Sequence, residues 1–274
     1  MGDFSIHQIE SGILGRKRKL RVYTPSGIRP GKGAAPPLLL QQDGQLAFTS
    51  RDEQLRFGSW GLDEWIERLA GTHGFDAPVA VGIDTSPKRR QEYFPMTPEF
   101  DLYESFILEE VLPWTGETLG FPADPARTML MGSSMGGIAS FGLLFRNPDR
   151  FAGAACLSPW FEFEKNRYVR EVLRPMEHKP PVRVYMDSGL RDWRQLDDGH
   201  RGMLLARLEL LRLGFREGED FDWTVDTHFP TVEGLKDSLV KPEFRETATW
   251  NQHTEHHWRR RLERPLRFLF GKGT

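Results

Sequence analysis

The sequence predicts an α/β fold in which helices cover a mainly parallel sheet. Three observations carry this prediction. From about residue 35 onward, short apolar segments typical of buried strands alternate with amphipathic helical segments. One of these strands runs through a glycine-bracketed turn directly into a helix. The first part of the chain differs, because two neighbouring strand-like segments there indicate an antiparallel start to the sheet.

The predicted strands share apolar or β-branched residues bounded by turn-forming residues. In chain order they are Phe4–Ile9, Leu20–Thr24, Leu38–Leu40, Pro78–Ile83, Thr128–Met131, Ala154–Leu157, Val182–Met186 and Phe221–Val225. We expect a solvated basic turn at Arg16–Lys19 between the first two strands, and a Gly- and Pro-rich loop over Pro25–Pro37.

Helices are predicted where apolar residues recur every three or four positions. These segments are Leu62–Leu69, Tyr103–Val111, Ile138–Phe145, Leu204–Leu211 and Trp258–Leu269, the last with a kink at Pro265. No linker, repeat or low-complexity segment divides the sequence. We therefore expect one domain over residues 1–274.

Charge and composition exclude several classes of function. The 37 basic and 39 acidic residues give a net charge of −2, which provides no field for nucleic acid or for an acidic membrane surface. The N-terminus lacks the pattern of a secretory signal, and no apolar run approaches the length of a membrane span. Cys156 is the single cysteine, so an internal disulfide is excluded. We expect a cytoplasmic protein with a small-molecule substrate; the oligomeric state is not indicated.

The segment from Thr128 to Ile138 contains the motif Gly132-Ser-Ser134-Met-Gly136. A nucleophilic serine must project from a tight strand-to-helix turn, and side chains at the flanking glycines would collide with the neighbouring backbone. Placing Ser134 at the start of a helix also directs free backbone N–H groups to the position of an oxyanion. The motif therefore predicts a nucleophile elbow at Ser134.

A serine hydroxyl needs a base, and the base needs a carboxylate that fixes its tautomer. In hydrolases with this elbow the acid and then the histidine follow the serine along the chain. Asp192, in the loop after the strand Val182–Met186, is the favoured acid. Asp187, which directly follows that strand, is the alternative.

Two histidines compete for the role of the base. His253 lies in a loop between the last strand and the last helix, and His228 directly follows the last strand. The residues alone leave both open. His253, Glu255, His256 and His257 are also metal-ligand types, but their spacing does not match a His-Glu-x-x-His site. We expect neither a metal nor an organic cofactor.

An oxyanion hole requires two backbone donors. The N–H group of Met135, next to the serine, is the first. The loop after the strand Leu38–Leu40 supplies the second, from Gly44 or Gln45.

Several stretches of the chain together resemble the putative esterase family of the α/β-hydrolases, which includes enterochelin esterase-like proteins, feruloyl esterases and esterase D relatives. They are Leu38–Gln45, Val81–Asp84 leading to Arg90–Pro95, Gly132–Gly137, Leu157–Trp160, Tyr185–Gly189 with Asp192, and His253–Trp258. The resemblance implies the three-layer α/β-hydrolase sandwich, with a mainly parallel central sheet and antiparallel N-terminal strands.

The resemblance also implies roles for individual residues. It makes Ser134 the nucleophile and His253 the base, since a His-x-Glu-x-x-Trp stretch opens the last helix in many relatives, and it favours Asp192 as the acid. The chain departs from the family at residues 228–249, which the resemblance predicts as an insertion near the active site, either a flap over the pocket or a surface excursion.

The sequence therefore predicts a serine esterase that cleaves carboxylic esters through an acyl-enzyme. Trp160 and Tyr93 are predicted to form walls of the substrate pocket. Two other classes stay open: an acyltransferase with the same triad, and a non-catalytic binding protein on a hydrolase fold.

Overall fold

Eight β-strands form one sheet in the computed structural model, which describes residues 2–28, 35–49 and 55–271. The strands are β1 Asp3–Ser11, β2 Arg16–Thr24, β3 Leu38–Gln42, β4 Val79–Ile83, β5 Thr128–Ser133, β6 Gly153–Leu157, β7 Arg183–Gly189 and β8 Phe221–Asp226. Every predicted strand is present with small shifts at its ends. Part of the predicted loop Pro25–Pro37, residues 29–34, lies outside the described residues.

The strands are arranged in the order β1-β2-β4-β3-β5-β6-β7-β8. β1 pairs antiparallel with β2, and β2 pairs antiparallel with β4. All remaining neighbours are parallel. The predicted fold class, a mainly parallel sheet with an antiparallel N-terminal edge, is confirmed.

Helices connect the parallel strands and cover the sheet. They are α1 Gly44–Ala47, α2 Leu62–Ala70, α3 Arg89–Glu92, α4 Pro98–Ser105, α5 Leu112–Leu119, α6 Met135–Arg146, α7 His200–Leu213, α8 Arg245–Ala248, α9 Glu255–Arg261 and α10 Glu263–Phe270. A π-helical segment, Phe106–Val111, joins α4 to α5. The helices predicted from apolar periodicity are all present.

The central strands are apolar on both faces because a helical layer lies on each side of the sheet. Successive side chains of a strand point to opposite faces. In β3, Leu38 and Leu40 accordingly join the cluster that contains Phe141 of α6, whereas Leu39 joins the cluster that contains Leu266 of α10. The chain is therefore a three-layer sandwich, as predicted.

The predicted basic turn at Arg16–Lys19 is wrong, because these residues open β2. The turn itself lies at residues 12–15. Alternation along the strand explains the difference: Lys17 and Lys19 are exposed, while Arg18 is 3% exposed and donates to both carboxylate oxygens of the buried Glu92 at 3.0 Å. The whole run thus lies in the sheet, and the buried charge partner Glu92 explains why the side chain of Arg18 is buried.

The C-terminal helix is divided rather than kinked at Pro265. α9 ends at Arg261 and α10 begins at Glu263, so Pro265 falls in the first turn of α10. A proline there removes no helical hydrogen bond, since the first N–H groups of a helix have no partner within it. The break at Leu262 allows both short helices to pack against the sheet.

Candidate active site

Ser134 occupies a tight turn between β5 and α6. Its backbone has φ 55° and ψ −120°, a strained conformation for a residue other than glycine. A Cβ atom at Gly132 would lie 2.3 Å from the carbonyl oxygen of Gly136, and one at Gly136 would lie 3.0 Å from the carboxylate of Asp43. The close packing therefore requires both glycines. This is the steric reason from which the sequence predicted the turn.

His253 lies in the loop before α9, and its ring is bonded to a buried carboxylate. Nδ1 of His253 is 2.5 Å from Oδ1 of Asp198. Asp198 is fully buried, while the side chain of His253 is 20% exposed. The bond to Nδ1 leaves Nε2 of the ring free to face a substrate. Ser134 and His253 both line one cavity of about 170 Å³.

The carboxylate that bonds His253 is Asp198, and the expectation for Asp192 is corrected. Both residues lie in the loop between β7 and α7, but the Asp192 carboxylate turns into the loop itself. It accepts the backbone N–H groups of Arg194 at 2.8 Å and Leu196 at 3.1 Å. It also pairs with the guanidinium of Arg194 at 2.6 Å. Asp192 is thus the residue around which the loop folds.

Asp187, the alternative acid, also has another partner. It is fully buried at the end of β7, and its Oδ1 lies 3.1 Å from Nη2 of Arg261. Burial raises the pKa of Asp187 to about 6, an effect that Arg261 opposes and the charge of Asp198 reinforces. Its carboxylate therefore pairs with Arg261 and is not bonded to His253.

Asp198 remains ionised despite its burial. Desolvation by itself would raise the pKa of this carboxyl, but the charge of His253 and the hydrogen bond to it outweigh the desolvation and lower the pKa below its usual value. An ionised carboxylate at Nδ1 fixes the tautomer in which Nε2 can accept a proton. No sequence motif marked Asp198, although its position before Gly199 and α7 is a recognisable helix start.

The other histidines near the C-terminus point elsewhere. His228 is exposed, and its backbone N–H donates to Asp226. His257 is buried, and its Nε2 donates to the carbonyl of Ala248 at 2.9 Å. Burial lowers the pKa of His256 to about 4. Among the residues that the structure describes, no three His, Cys, Asp or Glu side chains are placed to hold a metal ion.

Aromatic and charged side chains surround the serine cavity. Trp160 and Trp193 line it together with Arg89 and Arg194. Trp160 therefore lines the cavity, and its role as a wall for the substrate stays a prediction. Tyr93 does not: it is 0% exposed, and its hydroxyl accepts the backbone N–H of Asp43 at 3.1 Å beneath the site. A fully enclosed ring cannot form a pocket wall, so this expectation is wrong.

The loop between β3 and α1 is held close to the serine turn. A Cβ atom at Gly44 would lie 2.3 Å from the backbone of Gly82 in β4, so no other residue fits there. Asp43 has φ 57°, and its carboxylate pairs with Arg89 at 2.6 and 2.7 Å. The side chain of Gln45 accepts the N–H of Thr85 at 3.0 Å.

The backbone donors predicted for the oxyanion hole lie at two helix starts. Gly44 and Gln45 open α1, and Met135 opens α6. N–H groups in the first turn of a helix have no partner within it. Met135 also lines the serine cavity.

Residues 228–249, which the sequence predicted as an insertion, pack against residues 56 and 57. Leu235, Val240 and Ala248 form a small cluster with Phe57 and Phe244. The backbone N–H of Lys241 donates to the carbonyl of Arg56 at 3.1 Å. Within the described chain, the lining of the serine cavity includes no residue of this segment.

A family model described as "Putative esterase" matches residues 11–207. The chain belongs to the putative esterase family. The resemblance inferred from the motifs is confirmed, and the family match supports ester hydrolysis as the activity. Uncharacterized protein YjcH of Bacillus subtilis (strain 168) is 24% identical over 182 residues, which cover 65% of this chain and 69% of that protein.

Solved esterases share the fold of this member of the putative esterase family. A ferulic acid esterase superposes with a TM-score of 0.72 and 17% identity, and the match covers 98% of each chain. The enterobactin esterase FES from Shigella flexneri gives a TM-score of 0.70 and 17% identity. That match covers 97% of this chain but only 59% of the enterobactin esterase. None of the described helices has the length and apolar character needed to cross a membrane.

Proposed function

We propose that the chain hydrolyses carboxylic esters through an acyl-enzyme formed on Ser134. One observation carries the proposal. Ser134 projects from a strained glycine-bracketed turn into the same cavity as His253, whose Nδ1 is bonded to the buried carboxylate of Asp198. This arrangement supports Ser134 as the nucleophile, His253 as the base and Asp198 as the acid that orients it. The three residues also follow one another along the chain in the order serine, acid, histidine.

In the first half of the reaction, Oγ of Ser134 forms a bond to the ester carbonyl carbon. Its proton passes to Nε2 of His253, and the imidazolium is stabilised by the ionised Asp198. The tetrahedral intermediate then collapses as the bond to the alcohol oxygen breaks. His253 returns the proton to that oxygen, and the alcohol leaves.

In the second half, water attacks the acyl-enzyme with His253 again as the base, and the acid product leaves with Ser134 restored. Both tetrahedral intermediates carry an oxyanion. We assign its stabilisation to the backbone N–H of Met135 and to that of Gln45 or Gly44, since a single donor of this type contributes about 10²- to 10³-fold to turnover. No cofactor takes part in this scheme.

The size of the cavity favours an ester with a compact acyl group. Its volume of about 170 Å³ is below the roughly 300 Å³ at which typical ligand pockets begin, so only a compact group fits inside it. Trp160 and Trp193 offer flat apolar walls, and Arg89 and Arg194 place positive charge beside them. We propose small or aromatic acyl groups as the first substrates to test.

The experiment compares wild type with Ser134→Ala on p-nitrophenyl, feruloyl and siderophore-type esters. We expect Ser134→Ala to lose ester turnover and labelling by a fluorophosphonate probe. His253→Ala should lose turnover as well, whereas His228→Ala, an exposed histidine outside the cavity, serves as the matched control and should keep it. Activity that persists without Ser134 would refute the mechanism.

The same assays separate the other readings of the fold. An acyltransferase would transfer the acyl group to an added alcohol in preference to water, and a binding protein would not react with the probe. We propose that residues 1–274 form one domain, with an insertion at 228–249. Because Cys156 is the single cysteine, a reducing compartment such as the cytoplasm suits the chain.

A further inference from the structure

Ser158 is a buried serine that directly follows β6 and is one of the residues that line the serine cavity. It is 0% exposed and has φ 42°, an unusual conformation for a residue other than glycine. Its backbone N–H donates to the carbonyl of Asp187 at 2.7 Å. A strained and enclosed polar residue of this kind is typical of a functional site.

The direction of the Ser158 hydroxyl proton follows from its partners. A serine hydroxyl has one proton to donate and two lone pairs that accept. Nε1 of Trp258 donates to Oγ at 3.1 Å, and Nη2 of Arg261 donates to it at 2.9 Å. Both donors carry protons and cannot accept one in return. The hydroxyl proton is therefore directed to the remaining neighbour, Oδ2 of Asp198, at 2.6 Å.

Asp198 is held by this bond together with two others. Oδ2 also accepts the backbone N–H of Gly189 at 2.6 Å, and Oδ1 is bonded to His253. Donation from the cationic Arg261 polarises the Ser158 hydroxyl and strengthens its bond to the carboxylate. The carboxylate plane is thereby fixed in the orientation that presents Oδ1 to the imidazole.

Trp258 connects the same network to the other side of His253. Its ring packs edge-on against the imidazole, with centroids 5.1 Å apart and planes at 77°. The N–H of this ring is the group that donates to Ser158. One tryptophan therefore contacts the imidazole directly and constrains the serine that holds its carboxylate.

We propose that Ser158 is a positioning residue for the Asp198–His253 pair, fixed in turn by Trp258 and Arg261. The inference rests on the proposed function for the role of His253 as the base. The catalytic chain then has a fourth member, so that Ser158 orients Asp198, Asp198 orients His253, and His253 activates Ser134. Such an outer residue changes the alignment of the reacting groups without touching the substrate.

The test removes the hydroxyl with Ser158→Ala and compares it with Ser140→Ala. Ser140 is equally buried, in α6, and its hydroxyl has no partner among the described residues, so its removal controls for the loss of a buried oxygen. We expect Ser158→Ala to lower kcat for an acetyl ester about 10- to 100-fold with little change in KM. Ser140→Ala should match wild type in both constants.

A second readout does not depend on catalysis. The proton on Nδ1 of His253 lies in a short bond to Asp198 and should give a separate low-field proton NMR signal. We expect that signal to shift or broaden in Ser158→Ala and to be unchanged in Ser140→Ala. A purely structural role for Ser158 would not move it. An unchanged signal and an unchanged kcat in folded Ser158→Ala would overturn the proposal.

Trp258→Phe provides an independent variant because it removes the N–H donor and keeps an aromatic ring. We expect a smaller fall in kcat from Trp258→Phe alone and a non-additive effect when it is combined with Ser158→Ala. Strict additivity would contradict a shared route through Ser158. If Ser134→Ala keeps its esterase activity, the proposed function fails, while the NMR signal still decides the claim about Ser158.

Discussion

His253 and Asp198 are bonded at 2.5 Å although 55 positions separate them in the chain. The carboxylate comes from the loop after β7, and the imidazole comes from the loop before α9. The pair is therefore formed where the carboxyl ends of the parallel strands meet, which is the usual edge for chemistry in sheets of this kind. Asp192, in the same loop as Asp198, is bonded to its own loop instead.

Replacing the orienting carboxylate should have a much larger effect than replacing the loop carboxylate. We expect Asp198→Asn to lower kcat for an acetyl ester by about 10³- to 10⁴-fold, because the amide can no longer fix the productive tautomer of His253. Steady-state kinetics of p-nitrophenyl acetate hydrolysis would measure this.

Asp192→Asn is the matched control, since it makes the same chemical change in the same loop. It should act mainly on KM, because Asp192 shapes the segment that carries Trp193 and Arg194 to the cavity wall. An equal loss of kcat in both variants would contradict the assignment of Asp198.

The close packing at the serine turn predicts a strong response to one added methyl group. In Gly132→Ala, Cβ would lie 2.3 Å from the carbonyl oxygen of Gly136, so the start of α6 must move. We expect the free energy of unfolding to fall by roughly 3 kcal/mol and ester turnover to be lost. Gly71→Ala has no atom within 4 Å of the new methyl group and should leave both unchanged. Denaturant unfolding and kinetics of the two variants provide the comparison.

Removing Arg89 should lower the stability of the protein by an amount that depends on whether Asp43 keeps its charge. Asp43 is 2% exposed and accepts two bonds from Arg89. Arg89→Met would leave a buried charge without its partner and should cost roughly 3 kcal/mol of unfolding free energy. Adding Asp43→Asn removes that charge and should restore part of the stability. A double variant less stable than Arg89→Met would be evidence against this explanation.

The raised pKa of Asp187 should make the stability of the protein depend on pH. Burial raises its pKa from 3.8 to about 6 in the folded chain. Between those values the folded state binds more protons than the unfolded state, so the contribution of Asp187 to stability falls as the pH rises. Asp187→Asn cannot ionise and lacks this dependence.

The unfolding free energy of Asp187→Asn should therefore increase, relative to wild type, between about pH 4 and pH 6. The increase should be on the order of 1 to 3 kcal/mol, given about 1.4 kcal/mol for each unit of pKa difference. Urea unfolding at several pH values would measure it. A difference between the two proteins that stays constant across this range would show that Asp187 does not titrate in it.

The features that the sequence predicted correctly depend on neighbours in the chain. The turn at Ser134 follows from five consecutive residues, because Gly132 and Gly136 meet within one turn of backbone. Strands and helices were predicted because their apolar periods are local properties. The choice of His253 over His228 rested on the family resemblance, and its role as the base stays a prediction; the structure shows that His253 lines the cavity.

The features that the sequence missed depend on partners distant in the chain. The side chain of Arg18 is buried because it pairs with Glu92, which lies 74 positions further along the chain. The local sequence pattern gives no sign of that carboxylate. Tyr93 is enclosed because its hydroxyl bonds the backbone of Asp43 from below the site. In both cases the sequence gives the type of the side chain, but the local pattern does not predict whether that side chain is exposed.

The sequence by itself determined the class of this protein: the fold, the tight turn at Ser134 and the esterase family are encoded in short segments whose sterics and periodicity need no distant partner. Only the tertiary structure decided which aspartate meets His253. Three aspartates lie in one short stretch, and each has a different partner. Asp187 pairs with Arg261, Asp192 pairs with Arg194, and Asp198 is bonded to His253. The physical reason is that the role of each carboxylate depends on the charged group that it faces after folding. For Asp187 and Asp198 that group is distant in the chain, whereas Asp192 pairs within its own loop.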